Sequence, residues 1–232
     1  MEIRDRFAEV KRRADEAAIR SGRKPEDVRL VAVTKTHGPA EINEAIDAGA
    51  TDIGENRVQE ILEKYEDVKP VRWHLIGHLQ TNKVRQVIDK VVMIHSVDSL
   101  KLAKEIDKRA SAHGIVMDVL IEINSAMEDT KSGIAAADLR KLTEEITAEC
   151  ASVRVCGIMC IPPIAAEPED SRPYFREAME LFEEMKTWDL PEERFAPTEL
   201  SMGMSGDFEV AIEEGATTVR VGSSIFGPRN YR

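Results

Sequence analysis

The sequence predicts an α/β protein folded as a single (β/α)8 TIM barrel, with one extra helix ahead of the first strand. Three observations point to it. Short runs rich in β-branched residues alternate with stretches whose apolar residues recur at helical spacing; the alternation repeats eight times within 232 residues; and no linker or low-complexity tract divides the chain. An open doubly wound sheet alternates in the same way, and the count of eight strands is what favours closure.

The elements follow in order. Ile3, Phe7, Val10, Ala14, Ala17 and Ala18 give a helix over 2–20 with Gly22 as its stop, so residues 1–22 are expected to pack on a barrel within one domain spanning 1–232. The run Val28-Arg29-Leu30-Val31-Ala32-Val33-Thr34 reads as a buried strand that hands over to Lys35, Thr36 and His37. Pro39 then opens a helix with Ile42, Ala45 and Ile46 on its apolar face, closed by Gly49. Thr51–Gly54 is a second strand, followed by Val58, Ile61, Leu62 and Tyr65 at helical spacing. Val71–Ile76 is a third, with Val84, Val87 and Ile88 on the next helix, and Val91–His95 a fourth, before Leu102, Ala103, Ile106 and Ala110. Ile115–Ile123 and Val153–Cys160 are the fifth and sixth, with Leu139, Leu142 and Ile146 between them. Pro162 and Pro163 start a longer loop, and Phe175, Ala178, Met179 and Phe182 mark a helix. Thr198–Ser201 is a short seventh strand, backed by Phe208, Ala211 and Ile212, and Thr217–Val221 is the eighth. Residues 222–232 are too few for a full outer helix, a gap the N-terminal helix is expected to cover.

Composition narrows the function. Apolar residues make up 42% and charged residues 32%, a globular balance. The net charge of −11 argues against nucleic acid and anionic membrane as partners, while leaving room for a local phosphate pocket. The first residues alternate charges without the apolar run of a signal peptide, and no stretch approaches the ~20 apolar residues of a membrane span, so a cytoplasmic protein is expected. Cys150, Cys156 and Cys160 are too few for a disulfide framework and stand at no zinc spacing. Cys156 and Cys160 are expected on one face of the sixth strand as buried small residues, and no metal is expected.

The chemistry-bearing residues fall at strand ends, the rim where parallel α/β proteins bind ligands. Lys35 ends the first strand, a position that also suits a solvated lysine. The loops after the seventh and eighth strands, Ser201–Gly206 and Gly222–Gly227, are rich in serine and glycine. Backbone N–H groups and hydroxyls there can cradle a phosphate, although the same residues are ordinary turn formers. Arg220 alternates with Val219 and Val221 and so points into the barrel, where a charge needs a partner. Glu122, alternating with Ile121 and Ile123, is one candidate partner, and a ligand atom is the other. A lysine, a phosphate site and an interior arginine suit Schiff-base chemistry on a phosphorylated carbonyl compound. That leaves an aldolase acting on a sugar phosphate, or a pyridoxal-phosphate protein, and Arg220 favours the second as a partner for the cofactor's ring nitrogen.

Longer motifs sharpen this. Ala32-Val33-Thr34-Lys35, Gly54-Glu55-Asn56-Arg57-Val58-Gln59-Glu60, the run Trp73 to Lys83, Lys131-Ser132-Gly133, Gly157 to Pro163, Leu200 to Ser205 and Arg220 to Gly227 together resemble the pyridoxal phosphate homeostasis protein family. The resemblance spans about residue 32 to residue 227. It implies a barrel similar to the N-terminal domain of alanine racemases (fold type III), without their C-terminal β domain, with pyridoxal 5'-phosphate held as a Schiff base on Lys35. By position it implies Arg220 facing the ring nitrogen, Ser201, Gly222 and Ser223 holding the phosphate, and Asn56 beside the cofactor. Thr34 and Ser223 stand where serine and threonine are expected, and both keep a hydroxyl.

No catalytic residue is assigned. A permanent cation opposite the ring nitrogen disfavours its protonation and weakens the ring as an electron sink. Racemases resembling this fold take a second acid/base, a tyrosine, from a separate domain of a partner subunit. Here Tyr65 and Tyr174 are expected on outer helices and Tyr231 near the end of the sequence, while a lone His78 near the mouth reads as structural or solvated. The expectation is a binding protein for intracellular pyridoxal phosphate homeostasis, a monomer that passes cofactor to apo-enzymes. An amino-acid racemase of low activity is the alternative.

Overall fold

In a computed structural model, which describes residues 2–125, 132–163 and 166–227, eight strands close into one parallel barrel. They are β1 (Arg29–Val33), β2 (Asp52–Glu55), β3 (Arg72–Leu75), β4 (Met93–Val97), β5 (Met117–Ile123), β6 (Val153–Cys160), β7 (Phe195–Ser201) and β8 (Thr218–Val221). Each pairs with the next, and β8 returns to β1 with Val31 opposite Arg220. The helices are α1 (Ile3–Arg20), α2 (Pro39–Asp47), α3 (Val58–Lys64), α4 (Leu100–Ala112), α5 (Leu139–Glu149), α6 (Arg172–Met185), α7 (Phe208–Glu213) and the single-turn α8 (Ser223–Phe226).

Alternation along the strands sorts two layers. Leu30, Ala32, Ile53, Trp73, Leu75, Val119 and Ile121 belong to one continuous apolar layer shared with the helices. On the barrel axis Met93, Leu120, Cys156 and Met159 form a separate cluster, and His74, His95, Ser201 and Arg220 are buried there as well. α1 packs against α2, α7 and α8 through Ile3, Phe7, Val10, Ala14, Ala17 and Ala18, and Arg6 Nε donates to Ile225 O at 2.6 Å. The helix thus covers the flank where β8 meets β1.

Three local readings are corrected. Val84, Val87 and Ile88 are buried as expected, but the segment Thr81–Gln86 is a 3₁₀ helix, held by i→i+3 bonds from Lys83 to Gln80 and Val87 to Val84. The connection to β4 is short, and the tighter helix buries its valines without a full α-helical span. β7 starts at Phe195, ahead of the expected Thr198, because the register slips between Val155↔Phe195 and Gly157↔Glu199. Pro197 sits inside that irregularity, where its missing N–H disrupts no ladder. Gly157, at φ +143°, is what permits it: a Cβ there would lie 1.9 Å from Glu199 O. The same slip breaks the side-chain alternation of β6, so Cys156 and Cys160 face different layers, the first the barrel axis and the second the helices. Both are buried and free.

Candidate functional site

At the C-terminal ends of the strands a cavity of about 620 Å³ is lined by Lys35, Asn56, Arg220, Gly222 and Ser223, together with apolar Val33, Ile76 and Ile161. The barrel therefore brings together all of the sequence-predicted binding residues except Ser201, which is fully buried and lies beneath the cavity rather than on its wall. Lys35 is half-buried just past β1. The next residue, Thr36, adopts φ +69°, a left-handed conformation that costs a β-branched residue on the order of 1–3 kcal/mol and so must be imposed by its surroundings. Asn56 follows β2, and its backbone is approached so closely by Gly77 that a Cβ on Gly77 would stand 2.3 Å from Asn56 O.

Beside the end of β1, the loops after β7 and β8 are knitted together. Ser205 Oγ accepts from the backbone N–H groups of Gly222 (3.1 Å) and Ser224 (3.3 Å), and Ser224 Oγ donates to Ser205 O at 3.3 Å. Backbone donors that converge on one oxygen next to an open cavity suit a phosphate oxygen equally well. Ser205 falls within the serine- and glycine-rich loop after the seventh strand, and nothing in its position four residues after Ser201 signals which serine reaches the wall.

Arg220 is 3% exposed and reaches the cavity from the barrel axis. Its Nη1 donates to Ser201 Oγ at 2.6 Å and its Nη2 to Cys160 O at 3.0 Å. Glu122, one of the two partners the sequence offers for Arg220, accepts from Ser132 Oγ at 2.7 Å. Burial pushes the Glu122 carboxyl up, so it is a weak counter-charge. Burial also lowers Arg220, to about 10, which leaves it cationic at neutral pH. Two of the five N–H groups of a guanidinium are committed to protein acceptors here, which leaves donors for a ligand acceptor such as an unprotonated ring nitrogen.

Ser201 continues inward. Its hydroxyl is 3.0 Å from His95 Nδ1; His95 Nε2 is 2.9 Å from His74 Nδ1; and His74 Nε2 is 2.8 Å from Asp52 Oδ1. Both histidines are lowered, first by burial, and His95 falls well below its ordinary range. With neutral rings only one proton arrangement satisfies every contact, because Arg220 can only donate and the Asp52 carboxylate can only accept. Arg220 donates to Ser201, Ser201 to His95, His95 to His74 and His74 to Asp52. Burial opposes ionisation of Asp52, but hydrogen bonds from His74, Arg72 and Thr51 outweigh it and bring the carboxyl to about 2. The same alternation that marked Arg220 as interior applies to His74 between Trp73 and Leu75, so this residue was accessible to sequence reasoning; its partners across the barrel were not.

The remaining candidates lie elsewhere. His78 is exposed, with Nδ1 3.6 Å from Asp98. Tyr65 follows α3 and packs on Trp73, and Tyr174 is on α6. Lys131 and Tyr231 lie outside the described residues. His37, which also lines the cavity, stacks on Phe226 and has Nδ1 3.1 Å from Glu41 Oε1. Among the described residues no helix is long and apolar enough to cross a membrane.

Known proteins place this geometry. The model of the alanine racemase N-terminal domain matches residues 8–230. A pyridoxal phosphate homeostasis protein of Aquifex aeolicus is 48% identical over 229 residues, covering 98% of both chains. One from Escherichia coli K12 is 38% identical over 236 residues, covering 99% of this chain and 98% of that one. The solved structure of PipY from Synechococcus elongatus with pyridoxal phosphate bound superposes with a TM-score of 0.78 at 34% identity, over 97% of this chain and 100% of that one. The chain belongs to the pyridoxal phosphate homeostasis protein family, built on the alanine racemase N-terminal domain fold.

Proposed function

We propose that this protein binds pyridoxal 5'-phosphate in the strand-end cavity, with Lys35 as its covalent tether, and serves intracellular cofactor homeostasis by holding the aldehyde and handing it on to apo-enzymes. The observation that carries this reading is the convergence of Lys35, Arg220 and the loop residues Ser205, Gly222 and Ser223 on one cavity. When bound, the cofactor supplies an aldehyde that condenses with a primary amine with loss of water. Arg220 donates to the ring nitrogen and, as a buried cation, keeps that nitrogen unprotonated. Gly222, Ser223 and Ser205 hold the phosphate, Asn56 flanks the ring, and Ser201 supports Arg220 from below. The free, buried cysteines suit a reducing cytoplasm.

Holding without turnover follows from the same residues. Arg220 weakens the ring as an electron sink, and neither Tyr65 nor Tyr174 lines the cavity. One observation favours the second reading, an amino-acid racemase of low activity. His37 is the remaining titratable side chain on the wall among the described residues, and its Nδ1 is held by Glu41 Oε1 at 3.1 Å. Absorbance of purified protein loaded with pyridoxal phosphate, followed as single amino acids are added, decides between them. A carrier gives a stable spectrum or release of cofactor without product. Racemisation that is lost in both Lys35→Ala and His37→Asn supports the enzyme.

A further inference from the structure

Behind the end of β1, on the helix side of the barrel, lies a buried charge cluster that the binding site does not use. Lys64 of α3 is 7% exposed, and its Nζ donates to Glu55 Oε1 (2.8 Å), Glu60 Oε2 (2.8 Å) and Thr34 O (3.1 Å). Glu55 Oε1 also accepts from Thr34 Oγ1 at 2.6 Å, and Glu60 Oε2 from the Thr36 backbone N–H at 2.7 Å. Three polar groups on the two residues that flank Lys35 are therefore fixed by one ammonium and two carboxylates. Replacing a buried ionic cluster with apolar side chains is commonly neutral or stabilising, so stability alone does not account for this one. Its geometric effect is specific: it grips the chain immediately before and after Lys35 and holds Thr36 in its left-handed conformation.

We infer that Glu60 and Lys64, with Glu55, are positioning residues for Lys35, setting from outside the barrel where its amine enters the cavity. This inference rests on the reading of Lys35 as the cofactor tether, and its test does not. In ligand-free protein, acetylation of Lys35 by acetic anhydride, quantified by peptide mass spectrometry, reports the accessibility and basicity of the amine. Hydrogen exchange at residues 34–37 reports the grip on the chain.

Glu60→Ala removes the acceptor of the Thr36 N–H, whereas Glu60→Gln keeps an acceptor at that place. Ile146→Val, a core truncation on α5, serves as a control for general loss of stability. The expected result is that Glu60→Ala accelerates exchange at Thr36 about tenfold or more, as for loss of a hydrogen bond to a charged acceptor, and changes the Lys35 acetylation rate. Glu60→Gln and Ile146→Val stay close to the parent protein. Equal Lys35 acetylation rates in Glu60→Ala and the parent overturn the inference, as do equal changes in all three variants. If the acetylation rates shift as expected but bound pyridoxal phosphate is unaffected by Lys35→Ala, the positioning stands and the tether reading fails.

Discussion

Ser201 Oγ stands between Arg220 and His95, 2.6 Å from Nη1 of the first and 3.0 Å from Nδ1 of the second. A hydroxyl accepts from a guanidinium and donates to a neutral imidazole at once, so this residue joins the cavity floor to the polar axis of the barrel.

Ser201→Ala therefore leaves two buried groups without partners, and unfolding free energy is expected to fall by about 1–3 kcal/mol in urea titration. Its effect on ligand affinity is expected to be the same for pyridoxal as for pyridoxal phosphate. Ser205→Ala is expected to narrow the preference for the phosphorylated form, because Ser205 belongs to the loop pair that presents the Gly222 and Ser224 N–H groups. A loss of phosphate preference in Ser201→Ala would return that residue to the phosphate site.

The buried histidines set an acid sensitivity. His95 and His74 stay neutral in the folded protein, while in the unfolded chain they take up protons below about pH 6.5. Stability is thus intact above that pH and falls as the medium becomes more acidic, by up to about 1.4 kcal/mol per pH unit for each proton. The raised carboxyls of Glu55 and Glu122 act in the opposite sense, gaining protons in the folded state first. Asp52 adds a second loss at lower pH, because its depressed carboxyl stabilises the fold above about 3.8 and ceases to do so as pH falls toward about 2. Comparing His95→Gln with the parent isolates one term: the slope of stability between pH 6.5 and 5 is expected to be shallower by about one proton, read from urea midpoints across pH.

Much of this site was legible in the sequence, and the limits are physical. Lys35 and Arg220 could be placed because strand alternation and chain order fix which residues reach the rim and which face the axis. The hydrogen-bond line from Asp52 to Arg220 could not, since it joins side chains from β2, β3, β4, β7 and β8 whose contact depends on closure. The glycine-dependent slip at Gly157 hid the true start of β7 and separated Cys156 from Cys160, because a bulge resets a period-two pattern that sequence reading takes as unbroken. Ser201 illustrates the remaining gap: one residue past Leu200 it faces the axis, and only the three-dimensional layout shows it under Arg220 instead of on the cavity wall.

Gly77 tests how tightly the second and third strand ends must meet. A Cβ there would collide with the Asn56 carbonyl at 2.3 Å and with its Cα at 2.8 Å, both backbone atoms that cannot swing away. Gly77→Ala is expected to destabilise the fold by about 1–3 kcal/mol and to weaken pyridoxal phosphate binding by displacing Asn56. Thermal unfolding and a spectroscopic titration read both effects. Unchanged affinity alongside a lowered melting temperature would remove Asn56 from the site.

Reduction with borohydride followed by peptide mass spectrometry addresses the central assignment most directly. Protein loaded with pyridoxal phosphate and reduced is expected to carry one phosphopyridoxyl group on the peptide containing Lys35, with no incorporation in Lys35→Ala. A phosphopyridoxyl group on another lysine at full occupancy, or undiminished labelling of Lys35→Ala, would contradict it.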